Sequence, residues 1–214
     1  MNRRKALKNI GMGFGAITAT PAVVGLFQSC QTAAPNWTPI HFTKDQFGVV
    51  SKLMDIIIPT TTIPGAIELK LPEFLDGYVD AIINTKGQES LILGLNQYIA
   101  IALEEKGDDD AGDLTSEELE VELSKYLRGE EAQQKNWSKS ASAYKAAVQK
   151  DSAASIPKEA LAYEFAVQLR TMTITAFKTN EYIGENVLAY VPIPGQQKGC
   201  VDLMEATGGK AYSL

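Results

Sequence analysis

Thr43-Lys44-Asp45-Gln46-Phe47-Gly48-Val49-Val50-Ser51-Lys52-Leu53-Met54-Asp55-Ile56-Ile57-Ile58-Pro59 is the stretch that decides the fold class. Thr43 and Gln46 stand at capping-box spacing, the hydroxyl accepting from the Gln46 amide while the glutamine side chain reaches back. Phe47, Val50, Leu53, Met54, Ile57 and Ile58 then recur at helical spacing until Pro59 stops the helix. Outward from it, Pro59 to Ala66 reads as a loop, stiff at Pro59 and Pro64 and permissive at Gly65. A second helix is predicted from about Pro72, which the first helical position tolerates. Its expected buried stripe is Phe74, Leu75, Tyr78, Val79, Ile82 and Ile83, opposite Glu73, Asp76 and Asp80.

A third helix is predicted over 88–106, apolar through Leu91, Leu95, Tyr98, Ile99 and Ala102, and an acidic surface loop over 107–113. Thr115 and Glu118 form a second capping box, opening a fourth helix through Leu119, Leu123, Tyr126 and Leu127. The polar, alanine-rich 129–155 reads as broken helix. Pro157 then opens a long helix to about Thr179, with Leu161, Phe165, Leu169, Met172 and Ala176 on one face. Beyond Asn180, Gly184, Pro192, Pro194, Gly195, Gly199, Gly208 and Gly209 argue against a regular element and for an extended arm over the helices. Period-2 alternation is almost absent. The expected class is therefore all-α, a compact helical bundle with an irregular, Pro/Gly-rich C-terminal arm.

The chain opens Asn2-Arg3-Arg4-Lys5-Ala6-Leu7-Lys8, which resembles a twin-arginine export signal apart from Asn2 and Ala6. The glycine-broken apolar run Ile10 to Phe27 suits a cleavable targeting segment better than a span, which needs about 20 mostly apolar residues. An ordinary Sec signal containing Arg3 and Arg4 is the alternative. Leu26-Phe27-Gln28-Ser29-Cys30 resembles a lipobox, so Cys30 is the expected lipidated residue; cleavage after Ala34 would leave Pro35 first. The expected organisation is 1–29 signal, 30–42 anchor and tether, and 43–214 helical domain, exported folded to the periplasm and anchored through Cys30.

Residues 1–29 hold four bases and no acid, so the formal charge falls from −6 for the whole chain to −10 without them. A domain this acidic is repelled by phosphate backbones, which excludes nucleic acid as a partner. Its 185 residues suffice for one domain with a real core. Two cysteines make no disulfide framework, and a single histidine excludes most zinc and haem ligation schemes. With Cys30 lipidated, Cys200 has no intrachain partner; it is either buried and inert or a cross-link to another subunit, a catalytic thiol lacking an activator.

Several strings are decoys. Gly11-Met12-Gly13-Phe14-Gly15-Ala16 spells a dinucleotide fingerprint, but that works only between a strand and a helix and here lies in the export segment. The run from Asp108 to Asp113 fails the spacing of a calcium loop in either register. His41 has no nucleophile or acid linked to it by a motif. Glu104-Glu105 and Glu117-Glu118 are expected on exposed faces, without the pocket that would separate their pKa values. No catalytic, cofactor-binding or metal-binding residue is predicted.

Two segments together resemble the gluconate 2-dehydrogenase subunit 3 family. Leu53-Met54-Asp55-Ile56-Ile57-Ile58-Pro59-Thr60-Thr61-Thr62-Ile63-Pro64-Gly65-Ala66 resembles its N-terminal signature of a helix, Ile-Ile-Pro, Thr and Pro-Gly-Ala. Phe177-Lys178-Thr179-Asn180-Glu181-Tyr182-Ile183-Gly184, Tyr190 and Pro194-Gly195-Gln196-Gln197-Lys198-Gly199-Cys200 resemble its C-terminal pattern, Thr-Ser-Glu-x-x-Gly leading to Pro-Gly-x-Tyr-x-Gly-Cys. Asn180 replaces the serine and Gln197 the aromatic residue, and the middle, roughly 108–155, carries no mark of the family. The resemblance implies a small non-catalytic subunit that binds, helps mature and co-exports a large FAD-dependent dehydrogenase of the glucose–methanol–choline type. That partner would oxidise a sugar, sugar acid or glycoside and pass electrons to a cytochrome or other membrane acceptor. Pro64, Gly65, Gly184, Pro194, Gly195 and Cys200 are the expected interface, because irregular loops in a helical chain are often shaped for a partner. The alternative for the tail is that it caps the bundle and buries Tyr190 and Val191. The alternative for the chain is a stand-alone periplasmic lipoprotein.

Overall fold

A computed structural model describes residues 37–107, 109–149, 154–193, 195–196 and 199–213. The chain divides into Met1–Thr38 and Pro39–Leu214, and every helix described lies in the second. Its α-helices are α1 (Lys44–Ile57), α2 (Leu71–Ala81), α3 (Thr85–Lys106), α4 (Ser116–Leu127), α5 (Glu131–Val148), α6 (Lys158–Lys178) and α7 (Leu203–Thr207). A 3-10 turn spans Ala111–Asp113 and a π-helical turn Ile183–Val187. The class is all-α, as the periodicity predicts, and among the described residues extended pairing is limited to one isolated bridge, Ala189 to Tyr212.

Both capping boxes form, at Thr43–Gln46 and Thr115–Glu118. α3 starts three residues earlier than predicted, because the Asn84 side chain accepts the Gly87 amide at 2.9 Å and caps it. α6 is the hub, packing against α1, α2, α3, α4 and α5, most extensively α3. This explains its composition: a helix surrounded by others needs small or apolar residues most of the way round. Accordingly it buries Ala160, Leu161, Ala162, Phe165, Ala166, Leu169, Thr173 and Ala176. Gly94 sets the approach of α3, since a Cβ there would lie 2.9 Å from the Phe165 Cβ and 3.0 Å from the Leu161 carbonyl oxygen.

The expected break in 129–155 is corrected: α5 runs unbroken from Glu131 to Val148. No Gly or Pro interrupts that span, its alanines favour helix, and Trp137, Ala141 and Tyr144 recur at helical spacing against Ala160 and Leu161. Ring contacts join four helices, with centroids 5.6 Å apart for Tyr98–Phe165, 5.9 Å for Tyr98–Tyr126 and 5.3 Å for Tyr126–Trp137.

The stripe predicted for α2 is also corrected. Asp76, expected outside, is 0% exposed, while Phe74, Tyr78 and Ile82 are 53%, 39% and 66% exposed. Leu71, Leu75 and Val79 form the buried side instead. The apolar residues of α2 span a wider arc than the core can cover, and hydrogen bonding selects the rotation. The Asp76 carboxylate accepts the backbone amides of Ile40 at 2.7 Å, His41 at 3.0 Å and Phe42 at 3.0 Å. That clasp ties Ile40–Phe42 to α2.

Candidate partner interface

The C-terminal arm leaves α6 at Thr179 and folds back on itself. Ile183 is buried, and the Gly184 amide donates to the Asn180 carbonyl at 2.8 Å. A Cβ on Gly184 would lie 2.9 Å from the Ser213 hydroxyl oxygen, so glycine lets the chain end pack on this turn. Two bonds tie the ends of the arm together: Ala189 N–H to the Ala211 carbonyl at 2.8 Å and Ser213 N–H to the Ala189 carbonyl at 3.0 Å. Between them, the short helix α7 is capped by Asp202 and ends at Gly208, whose φ of 63° suits glycine. The arm is thus more ordered than the extended strap predicted. The bonds that join its ends are local to the arm.

The arm leaves its large apolar side chains in solvent. Ile193 is 85% and Met204 68% exposed, and Val201, Leu203 and Tyr212 are each more than half exposed. Tyr190 and Val191 are exposed too, so the alternative in which the tail buries them does not hold. Tyr190, Val191, Val201, Glu205 and Tyr212 surround an open cleft of about 900 Å³. Apolar side chains clustered in this way mark an interaction surface, unlike singly scattered ones. Cys200, on the same arm, is a free and exposed thiol, which removes the buried, inert reading.

The other expected interface residues separate. Gly65 is buried, and a Cβ there would lie 2.4 Å from the Thr60 amide nitrogen and 2.7 Å from the Pro59 carbonyl carbon. Its role is to let the loop close on itself, beside the bond from Ala66 N–H to the Ile58 carbonyl at 2.8 Å. Pro64 is half-buried next to it; Gly195 is exposed with a φ of 68°. Gly65 and Gly184 are therefore shapers of loops, and Gly195 and Cys200 are reachable by a partner. Arg3, Arg4, Cys30 and Pro194 lie outside the described residues.

Two buried acids escaped the sequence reading. One is Asp76; the other is Glu122 of α4, 1% exposed. The Lys125 ammonium lies 3.2 Å from Glu105, 3.2 Å from Glu122 and 3.1 Å from Glu159, and the Tyr126 hydroxyl donates to Glu159 at 2.8 Å. Burial pushes the Glu122 carboxyl above the usual range, against the opposing pull of Tyr126 and Lys125. Burial also works against the Lys125 ammonium, but its bonds to Glu159 and Glu122 prevail and push it up to about 12. Desolvation, reinforced by Glu122, raises the hydroxyls of both Tyr98 and Tyr126 well above the ordinary phenol range. With the ammonium already filling the space between the carboxylates, the cluster serves as a tie between α3, α4 and α6. Glu122 had a usable signal, lying one turn from both Leu119 and Tyr126 on the inner face; Asp76 had none, its partners being backbone amides more than 30 residues away.

His41 is a packed residue beside the Asp76 clasp, its Nδ1 3.9 Å from Asp80 and its Nε2 buried with no hydrogen-bond partner. Among the described residues no group of three His, Cys, Asp or Glu side chains is placed to hold a metal ion, and no helix is long and apolar enough to cross a membrane. Asp110 uses its carboxylate to accept the Gly112 amide, and Lys52 and Lys106 bond to the backbone carbonyls of this loop.

The fold is a small helical domain whose C-terminal arm, hydrogen-bonded at its ends, leaves large apolar side chains exposed. The chain belongs to the gluconate 2-dehydrogenase subunit 3 family, whose profile matches residues 44–195. The match takes in both Pro-Gly segments and runs through 108–155, where the sequence carries no visible mark. Comparison with curated proteins and with solved structures returned no match. Membership makes the chain an accessory subunit of a dehydrogenase, which implies a larger catalytic partner.

Proposed function

We propose that this subunit binds a large FAD-dependent dehydrogenase of the glucose–methanol–choline type, helps it mature and carries it in folded form to the periplasm. The partner holds the FAD, oxidises a sugar, sugar acid or glycoside, and passes electrons to a cytochrome or another membrane acceptor. Export uses Arg3 and Arg4, and lipid on Cys30 then anchors the complex. The single observation that carries the reading is the arm, which from Tyr190 onward leaves its large apolar side chains exposed while its two ends are hydrogen-bonded to each other. An exposed surface of this kind is costly for a lone secreted domain and is covered naturally by a subunit. Cys200, on the same arm, is free and exposed, which supports a cross-link to that subunit. Affinity purification of the tagged native protein from membranes should bring down a yellow, flavin-containing subunit. Intact mass of the small chain should place its first residue at an acylated Cys30. Recovery of the chain alone would favour the stand-alone lipoprotein, and a mature chain starting elsewhere would remove the anchor.

A further inference from the structure

We infer that a cleft between α1, α4 and α6 is a binding site for a small amphiphilic anion, with a carboxylate or phosphate head on a short apolar body. The sequence holds four arginines, Arg3, Arg4, Arg128 and Arg170, so the folded domain has two. Both line this one cleft. Arg128 follows the last residue of α4, and Arg170 projects from α6; both are exposed. The ion pairs among the described residues are made by lysines or His41, and neither arginine's guanidinium makes a hydrogen bond or ion pair there. Two unneutralised guanidinium groups at one opening are unusual in a domain whose formal charge without residues 1–29 is −10. Guanidinium is the side chain best matched to carboxylate and phosphate, which it holds through paired N–H donors.

The same cleft is lined by the aliphatic side chains of Ile56 and Ile57 of α1, Leu123 and Leu127 of α4 and Ile174 of α6, with Ser124 among them, so its lining is mixed polar and apolar. Glu120 also borders the cleft but makes no ion pair with either arginine, so the local balance stays positive. The volume is about 320 Å³. At ~30 Å³ per water in the liquid, that is room for roughly ten waters, the size of an eight-carbon acid. The site goes beyond dehydrogenase binding, for it shares no lining residue with the arm's cleft.

The test uses the ¹⁵N-labelled full-length chain, with the Nε–Hε signals of Arg128 and Arg170 assigned from Arg128→Lys and Arg170→Lys. It is titrated below micelle concentration with octanoate, octyl phosphate, octyl glucoside and inorganic phosphate. Both eight-carbon anions should shift the two signals saturably, with the uncharged glucoside and tail-less phosphate at least about tenfold weaker. Tighter octanoate binding would point to a free organic acid as the natural source, and tighter octyl phosphate binding to a phospholipid-type head; equal binding supports the shared chemistry. Arg128→Ala and Arg170→Ala should each weaken binding about tenfold with unchanged helical circular dichroism, and the lysine variants less. Calorimetric titration supplies the affinity if exchange broadens the signals. Equal binding of octyl glucoside, equal binding of phosphate alone, unchanged affinity in both alanine variants, or no saturable binding would each overturn the site.

Discussion

Replacing Asp76 by alanine removes one acceptor from three backbone amides at once. A buried donor left without a partner costs about 1–3 kcal/mol. The Phe42 amide is buried, whereas those of Ile40 and His41 are part-buried and regain water, so they sit at the low end of that range. The expected loss is about 3–5 kcal/mol, a large share of the stability of an ordinary domain. With a urea slope of about 2 kcal/mol per molar, the midpoint should fall by roughly 1.5–2.5 M at unchanged slope, followed by circular dichroism at 222 nm. Asp76→Asn keeps one accepting oxygen but turns an N–H toward a donor, so about half the loss is expected. A midpoint within about 0.5 M of the parent for Asp76→Ala would refute the argument that this carboxylate fixes the rotation of α2.

Three further outcomes follow from the packing and the charges. Gly65→Ala should lower stability by about 1–3 kcal/mol, because the atoms it meets are backbone and cannot swing away; a melting temperature equal to the parent's would contradict the close approach. Glu122 has a raised folded-state pKa, so its stabilising contribution is complete below its unfolded value near 4.3 and is lost as pH rises through the folded value. The parent should therefore lose stability relative to Glu122→Gln as pH rises from about 4.5 toward neutrality, and a difference of opposite sign in urea melts would reject the burial argument. Cys200→Ser should abolish a subunit-crosslinked band on non-reducing gels of the native complex, and an unchanged band would remove the thiol from the interface.

What was legible in the sequence was whatever local rules determine. The capping boxes at Thr43 and Thr115, the stop at Pro59 and the start at Pro157 needed only neighbours along the chain, and all four stand where predicted. α5 was misjudged because polarity was allowed to outweigh the absence of any helix breaker between Glu131 and Val148. α2 was misjudged for a deeper reason: its apolar arc admits more than one rotation, and the choice depends on Asp76 meeting amides far away in sequence. Among the residues expected at an interface, Pro-Gly spacing located both loops but could not separate a glycine needed for close packing, Gly65, from one left in solvent, Gly195. The exposed arm was half legible: its prolines and glycines predicted irregularity, while the bonds joining Ala189 to Ala211 and Ser213 required the folded chain.

The central claim is that the arm carries the catalytic subunit. Its most direct test is periplasmic dehydrogenase activity and flavin content in cells whose small subunit ends at Val191, lacking Pro192 to Leu214. The helical domain should remain folded, since the buried hydrophobic residues among those described lie between Phe42 and Ile183, upstream of the cut. The account predicts that the truncated subunit reaches the periplasm alone while the flavoprotein stays in the cytoplasm. Undiminished periplasmic flavoprotein and activity with the truncated chain would contradict it.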